Sequence, residues 1–290
     1  MPLNFLKGDN AHIEVKIDRP QSSYYPGDRL QAQISVKAEK ELKVRQLRAG
    51  LLFWEEYISE DSEGDTSRRT TAHEFIDQET LLEDEILLQG AQRSFSHKWQ
   101  LPKGAAPPYT SDTIRSGWSL HVELDAGLRQ SQKIDVPVPL VVPPPGEKVH
   151  RGRFGEASHP KKVEMHLDLP RLEWVEGETI QGTLLVMPKE DVKVREVRLQ
   201  INRQQRVHIK RARVKHSDTV AVEKLIGKRS IEANRSFDVP FEIDVPTQGA
   251  PTRATEATTV TYTLQGVLSR RLRRDYTVST EIEIYNGAAP

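Results

Sequence analysis

Three polar side chains alternate along a short stretch of the chain and could in principle form a nucleophile with its base and acid. They are Ser119, His121 and Glu123, and Gly117-Trp-Ser-Leu-His121 resembles the Gly-x-Ser-x-Gly turn that presents a nucleophilic serine, with His in place of the last Gly. Because the segment alternates like a strand, neighbours in the row stand about 7 Å apart, too far for the hydrogen bonds of a triad. The pattern favours a solvated strand face, and we predict no catalytic residue.

A second row of alternating residues has the types that bind a divalent metal. Glu164, His166 and Asp168 would share one face of a strand. A similar segment earlier in the chain carries Lys16 in place of the histidine, and a lysine cannot be a metal ligand there. The row is therefore better explained as a salt-bridged polar face. We predict no metal site, and without a phosphate-binding glycine loop we predict no cofactor.

Charge divides unevenly along the chain. Lys+Arg and Asp+Glu both number 42, yet residues 1–150 carry a net charge of −5 and residues 151–290 a net charge of +5. The acidic side includes Glu55, Glu56, Glu60, Asp61, Glu63 and Asp65. The basic side includes the tract Arg270-Arg-Leu-Arg-Arg274 and a predicted partner-binding set: Arg203, Arg206, His208, Lys210, Arg211, Arg213 and Lys215.

Three interpretations of the basic set remain open. Charged edge strands commonly serve only to discourage aggregation between sheet edges. Alternatively, the set binds an anionic partner, either an acidic or phosphorylated peptide or lipid headgroups, with arginine supplying bidentate contacts. In the third interpretation it meets the acidic edge of the first half, within one chain or between copies.

Composition excludes several classes of protein. The chain has 290 residues, 36% of them hydrophobic, without an apolar run long enough to cross a membrane. It contains no Cys, so it has no disulfide, thiolate nucleophile or zinc finger. A formal net charge of zero argues against nucleic acid as a partner. Because the amino terminus lacks a signal-peptide pattern, we expect a cytoplasmic protein.

The elements that carry these residues come from an internal repeat. At an offset of 150 residues, residues 12–20 align with 162–170, and Leu42-Lys-Val-Arg-Gln-Leu-Arg48 aligns with Val192-Lys-Val-Arg-Glu-Val-Arg198. A repeat this long indicates a duplicated domain rather than a solenoid unit. Pro143-Pro-Pro-Gly146 separates the copies, and we predict a linker at 143–160 that holds no helix or central strand.

Period-2 alternation of apolar and polar residues dominates both copies and predicts about seven strands in each. Gly27 and Gly177 precede strands at places that favour type II turns with positive φ. Gln78 to Leu88 has helix-compatible spacing, but we predict a strand because Thr219 to Ile231 alternates at the corresponding place. Short antiparallel strands with Pro-rich turns indicate an all-β protein built from immunoglobulin-like β-sandwiches.

A family resemblance rests on the order of several short motifs, which the second copy repeats. It runs through Tyr25-Pro-Gly-Asp-Arg-Leu30, Lys43 to Leu52, Phe95, Leu101-Pro102, Pro107-Pro108 and Trp118-Ser-Leu-His-Val-Glu-Leu124. This order resembles the amino-terminal domain of arrestin-like proteins. In compactness the chain is most similar to the bacterial and archaeal members, including the sporulation-control group. The resemblance implies a two-lobed adaptor or scaffold without a catalytic site.

The sequence thus predicts two tandem immunoglobulin-like β-sandwich domains in an arrestin-like arrangement, at 1–142 and 161–290. The expected function is that of a non-enzymatic cytoplasmic scaffold, which binds protein partners through strand edges and the surface between the lobes. The alternative is a peripheral membrane protein that binds anionic lipid through its basic second lobe. Self-association is a further expected property of the charged edges.

Overall fold

The architecture consists of strands throughout. The computed structural model describes residues 4–7, 10–59, 68–127, 131–146, 151–208, 214–247 and 249–288. These ranges form 22 strands and no helix, so no described segment is a helix of the length and apolar character needed to span a bilayer. The chain divides into two units, of which the first holds Met1–Tyr57 and Arg69–Val142 and the second holds Ile58–Arg68 and Pro143–Pro290.

Two sheets form the first unit. Its strands are β1 (Asn4–Lys7), β2 (Ala11–Ile17), β3 (Arg29–Ala38), β4 (Leu42–Ser59), β5 (Arg68–Leu87), β6 (Gln92–Gln100), β7 (Tyr109–Thr110), β8 (Ile114–Asp125) and β9 (Gln132–Val138). The smaller sheet has the order β1-β2-β3-β6. The larger sheet has the order β5-β4-β8, with β7 and β9 both pairing with β8.

The second unit repeats this plan. Its strands are β10 (Gly152–Phe154), β11 (Glu156–Ala157), β12 (Val163–Leu169), β13 (Glu173–Val175), β14 (Thr179–Pro188), β15 (Val192–Val194), β16 (Glu196–Val207), β17 (Lys215–Ile226), β18 (Arg229–Ile231), β19 (Phe237–Asp244), β20 (Arg253–Ala254), β21 (Thr258–Ser269) and β22 (Tyr276–Tyr285). One sheet has the order β10-β12-β14-β19 and the larger has β11-β22-β21-β16-β17, while β15 pairs with β18.

The predicted internal repeat is confirmed by the strand pairing in the larger sheets. Leu51 of β4 lies opposite Leu120 of β8. Ile201, which aligns with Leu51 at the offset of 150, lies opposite Leu264 of β21. All four side chains are buried. The two copies therefore use equivalent positions to build equivalent central strand pairs.

Alternation of apolar and polar residues buries one face of each sheet. In the first unit, Ile13 of β2 and Trp99 of β6 share a core cluster with Leu120 of β8, so both sheets contribute to one core. In the second unit, a Cβ added at Gly266 of β21 would lie 2.8 Å from Leu184 Cδ1 of β14, so those two sheets also pack face to face. The predicted pair of β-sandwiches is confirmed.

Both predicted glycine turns are confirmed. Gly27 and Gly177 have φ angles of 88° and 81°, in the region that glycine adopts without steric cost. The Asp28 N–H donates to the Tyr25 carbonyl at 2.9 Å, and the Glu178 N–H donates to the Val175 carbonyl at 3.0 Å. These are the closing hydrogen bonds of type II turns.

Two other local expectations have different outcomes. Gln78–Leu87 lies in a strand, β5, as the comparison between the copies predicts. The strand expected from Ile134 to Val142 instead ends at Val138. Beyond it, Leu140 forms an isolated bridge with Tyr24.

Short strands also occur within the segment 143–160. Gly152–Phe154 and Glu156–Ala157 form β10 and β11, each at the edge of a sheet of the second unit. Gly155 between them has a φ of 96°, and a Cβ there would lie 2.6 Å from Val278 Cγ2. Only glycine allows the chain to turn this closely against β22.

Candidate functional site

The basic residues of the second unit lie where β16 and β17 approach their connection. In this antiparallel pair Arg206 is directly opposite Lys215, and both residues are exposed. Directly opposed residues point to the same face of a sheet, with Cβ atoms about 5 Å apart. The Arg206 Nε–H donates to Gln204 Oε1 at 2.7 Å, which orients the guanidinium along the strand. Arg206 and Lys215 therefore form a cationic pair at the end of the sheet.

Arg203 lies three residues earlier on β16. Its side chain stabilises the strand pair and does not contribute to the exposed surface. It follows the inward parity of β16, is buried, and makes a bidentate pair with Asp218 of β17. Its Nε–H and Nη2–H donate to the two carboxylate oxygens at 3.0 and 2.7 Å. This contact fixes β16 against β17 just before the exposed pair begins.

The remaining members of the predicted set divide between described and undescribed residues. His208 hydrogen-bonds through Nε2 to Thr259 Oγ1 at 2.6 Å, which ties the end of β16 to β21. Lys210, Arg211 and Arg213 lie outside the described residues. The structure thus brings Arg206, His208 and Lys215 to one end of the larger sheet.

The second basic tract lies at the other end of the same sheet. Residues 270–275 connect β21 to β22, and Ser269 pairs with Glu196 at the start of β16. Ten residues of strand separate Glu196 from Arg206, a distance of about 33 Å. Leu272 stands at the tip of this connection with 94% of its surface exposed and a φ of 58°. The two basic tracts are therefore separate surfaces.

The acidic residues at the equivalent position of the first unit do not all face outward. Glu55 is 4% exposed and has the inward parity of β4, whereas Glu56 has the outward parity and is half-buried. The other predicted members of the acidic side, Glu60, Asp61, Glu63 and Asp65, lie outside the described residues.

The row of Ser119, His121 and Glu123 shares one face of β8, but its members do not bond to one another. His121 Nδ1 lies 2.7 Å from Asp135 Oδ1. Glu123 is bonded by Arg48 at 2.8 Å and Lys133 at 3.0 Å. Although burial raises its pKa, these two cations outweigh burial and the net pKa of Glu123 is lowered.

The row that could have held a metal is paired internally. Glu164 lies 3.3 Å from His166 Nε2 and 3.4 Å from Lys189 Nζ. The hydrogen bond from His166, followed by that from Lys189, lowers the pKa of the Glu164 carboxyl. Among the described residues no group of three metal-ligating side chains converges.

Comparison with known families matches both copies. The description "Arrestin (or S-antigen), C-terminal domain" matches residues 9–145 and again residues 159–287. The chain belongs to the arrestin family. Both copies match the description of the C-terminal domain. This includes the first copy, although its motifs resemble the amino-terminal domain of arrestin-like proteins. No individual curated protein matches, and the sporulation-control grouping stays a prediction.

Arrestin-family domains are generally adaptors that bind protein partners and are not generally enzymes. In this chain His121 bonds to Asp135, and Glu123 bonds to Arg48 and Lys133, so neither is held against Ser119. In this arrestin-family chain the surfaces available for a partner are therefore of more interest than the reactive groups. The exposed Arg206–Lys215 pair is such a surface in the second unit.

The first unit contains a groove that was not predicted from the sequence. It has a volume of about 720 Å³ and lies on the outer face of the larger sheet, lined by β4, β8, β9 and the loop after β9. Its apolar walls include Leu52, Trp54 and Pro137. The available signal was the unbroken apolar run Leu51-Leu-Phe-Trp54, because a strand that is apolar at both parities is covered on both faces.

Proposed function

We propose that this protein is a non-enzymatic adaptor that binds an acidic protein partner at the Arg206–Lys215 pair. The observation that carries the proposal is the juxtaposition of two exposed cations on one face, neither of which makes an ion pair within the described part of the chain. Like charges directly opposite each other destabilise a strand pair. An anionic group placed between them would remove that repulsion.

The edge position of β17 supports binding of an extended segment. Among the described strands, β17 is hydrogen-bonded to β16 alone, so near Lys215 its other edge carries backbone N–H and C=O groups that another strand can pair with. Lys215 begins this edge. An acidic or phosphorylated segment added along β17 would place its anionic side chains within reach of Lys215 and Arg206. The proposed location is the cytoplasm, which suits a chain without cysteine.

Charge reversal at this surface tests the proposal. The double variant Arg206→Glu, Lys215→Glu is expected to lose at least about tenfold in affinity for its partners, since two attractive contacts become repulsive. The measurement is an affinity pull-down from native lysate with quantitative mass spectrometry, followed by titration of the recovered partner. The matched control reverses Arg271 and Arg273, about 33 Å away on the same sheet, and should retain partner binding.

Light scattering of the same variants separates partner binding from self-association. The proposal requires that the Arg206→Glu, Lys215→Glu variant keep the molar mass of the wild type while losing partners. A change of molar mass with an unchanged set of partners would instead assign this surface to contacts between copies. Equal loss of partners in both variants would show that total charge, and not the Arg206–Lys215 pair, controls binding.

A second candidate function, binding to an anionic membrane surface, is favoured by the β21–β22 connection. Leu272 is fully presented to solvent between exposed arginines. The connection is held against its own sheet, because Arg270 Nε donates to the Arg274 carbonyl at 2.8 Å and the Arg270 guanidinium carbon lies 3.7 Å from the Tyr276 ring centroid. An exposed apolar tip within a basic surface is typical of interfacial membrane anchors.

Vesicle binding tests this second function. If Leu272 inserts into the bilayer, Leu272→Ser is expected to weaken binding to phosphatidylserine vesicles about tenfold, because the burial of one leucine side chain is lost. Co-sedimentation measures the effect, with neutral phosphatidylcholine vesicles as the reference. Equal binding of the wild type and the Leu272→Ser variant would rule out insertion of this tip. Equal binding to both lipids would rule out recognition of the anionic surface by the arginines.

A further inference from the structure

The floor of the groove in the first unit is defined by the strand register. Ser119 of β8 lies between Leu52 of β4 and Pro137 of β9, so these three residues form one row across the sheet. In the next row Trp54 lies opposite Gly117. A Cβ at Gly117 would be 3.0 Å from Trp54 Cζ2, so the indole occupies the space that the missing side chain leaves. The result is an apolar floor with an aromatic wall.

One polar atom in this apolar floor has no partner. Ser119 is 3% exposed, and its Oγ makes no hydrogen bond to any described residue. A buried hydroxyl without a partner is destabilising unless something else bonds to it. Since Ser119 lines the groove, a polar group of a ligand bound there can reach its Oγ.

The charged groups around the groove have one sign. Glu56 and Asp135 line it, and no Lys or Arg belongs to its described lining. Asp135 is the diagonal neighbour of Ser119 across the β8–β9 pair, about 7 Å away. Its carboxylate accepts from His121 and keeps 58% of its side-chain surface exposed, so it retains capacity to accept a further bond at the rim.

The basic residues near the groove do not cancel its negative charge at the centre. His121 bonds to Asp135 from the next row of the same face. Arg115 lies opposite Glu56, at the end of the face away from Ser119. His73 of β5 also lines the groove. The centre of the groove, between Ser119 and Asp135, therefore faces a carboxylate on one side and the Trp54 ring on the other.

We infer that this groove is a binding site for a small organic amine, whose ammonium group donates to Ser119 Oγ and Asp135 and whose apolar body packs on Leu52 and Trp54. Its volume of about 720 Å³ is in the range of small-molecule sites. Aromatic rings favour an adjacent cation. This site lies in the first unit and goes beyond the proposed adaptor function, which concerns the second unit.

Three probes of one shape test the inference. Isothermal titration calorimetry of the full chain would compare phenethylamine, 2-phenylethanol and 3-phenylpropionate. The amine is expected to bind about tenfold more tightly than the alcohol, because charge-assisted hydrogen bonds are stronger than neutral ones. The carboxylate should bind most weakly, since it would face Asp135. Binding should also change the fluorescence of Trp54, which lines the groove.

Substitutions separate a binding role from a structural one. Ser119→Ala should weaken amine binding about fivefold while leaving the thermal unfolding midpoint unchanged or higher, because it removes a buried hydroxyl without a partner. Ser94→Ala, on the exposed surface of β6, should change neither quantity. Asp135→Asn should weaken binding of the amine but not of the alcohol.

Specific results would overturn the inference. They are equal affinity for the amine and the alcohol, absence of amine binding at millimolar concentration, or an unchanged amine affinity in a folded Ser119→Ala variant. Because Ser119→Ala is expected to fold at least as well as the wild type, weaker binding in that variant cannot be attributed to unfolding.

Discussion

Gly50→Val is expected to destabilise the first unit by about 3 kcal/mol, at the upper end of the range for added volume in a packed site. Gly50 lies on β4 with its missing side chain toward β5. A Cβ at this position would be 2.6 Å from the Asp77 carbonyl oxygen and 3.1 Å from Gln78 Cα. Both are backbone atoms, so the clash cannot be relieved by a side-chain rotation and β5 must move away from β4.

The backbone conformation at Gly50 does not itself require glycine, and this makes the prediction specific to the contact. Gly50 is not among the positive-φ positions, and valine is well suited to a strand. The control is Gly104→Val, since a Cβ at Gly104 meets no atom within 4 Å. Its effect should stay within about 0.5 kcal/mol, as for most surface substitutions.

Urea unfolding followed by tryptophan fluorescence measures this effect. Three of the four tryptophans, Trp54, Trp99 and Trp118, belong to the first unit, so the signal reports mainly on that unit. The unfolding midpoint of Gly50→Val should fall, and the exchange of β5 amides should accelerate. An unchanged midpoint together with normal β5 protection would contradict the close approach of β5 to β4.

The close approach of β5 to β4 is a feature that the sequence does not predict. The sequence correctly predicts that β5 is a strand. Its alternation contains no information about how β5 bends over β4. Phe75 of β5 comes to 5.4 Å from the His121 ring, centroid to centroid, on the outer face of β8. Long-range contacts of this kind help to bury His121 and Ser119, which the sequence predicts as part of a solvated face. The apolar run Leu51–Trp54 predicts that both faces of β4 are covered, but it does not predict the shape of the groove, because that shape depends on the same long-range contacts.

Within the predicted partner-binding set, the burial of Arg203 could have been predicted from the sequence. The alternation from Val197 to Ile201 assigns odd positions of this strand to the core, and continuing it by two residues places Arg203 inside. The aligned residue of the first unit is Phe53, which is also buried. What no local pattern supplies is the partner Asp218, because the register between β16 and β17 depends on a bulge between Ile201 and Asn202.

Arg203→Ala is therefore expected to destabilise the second unit by about 3 kcal/mol, the lower end of the range for breaking a buried ion pair. Arg203 has only 10% of its side chain exposed, but Asp218 keeps 31%, so water compensates part of the lost bonding of the carboxylate. Arg203→Lys should recover only part of the loss, because an ammonium cannot reproduce the two parallel bonds of the guanidinium.

The neighbouring Arg206→Ala is the matched control for this prediction, because it removes an arginine of the same strand with the outward parity. Its effect on stability should stay within about 0.5 kcal/mol, while it weakens partner binding if the proposed function is right. Hydrogen exchange of the β16 and β17 amides measures both variants within the second unit. Equal protection in Arg203→Ala and Arg206→Ala would mean that the Arg203–Asp218 pair does not hold these strands together. The expected contrast separates Arg203, which holds β16 against β17, from Arg206, which is exposed on the proposed binding surface.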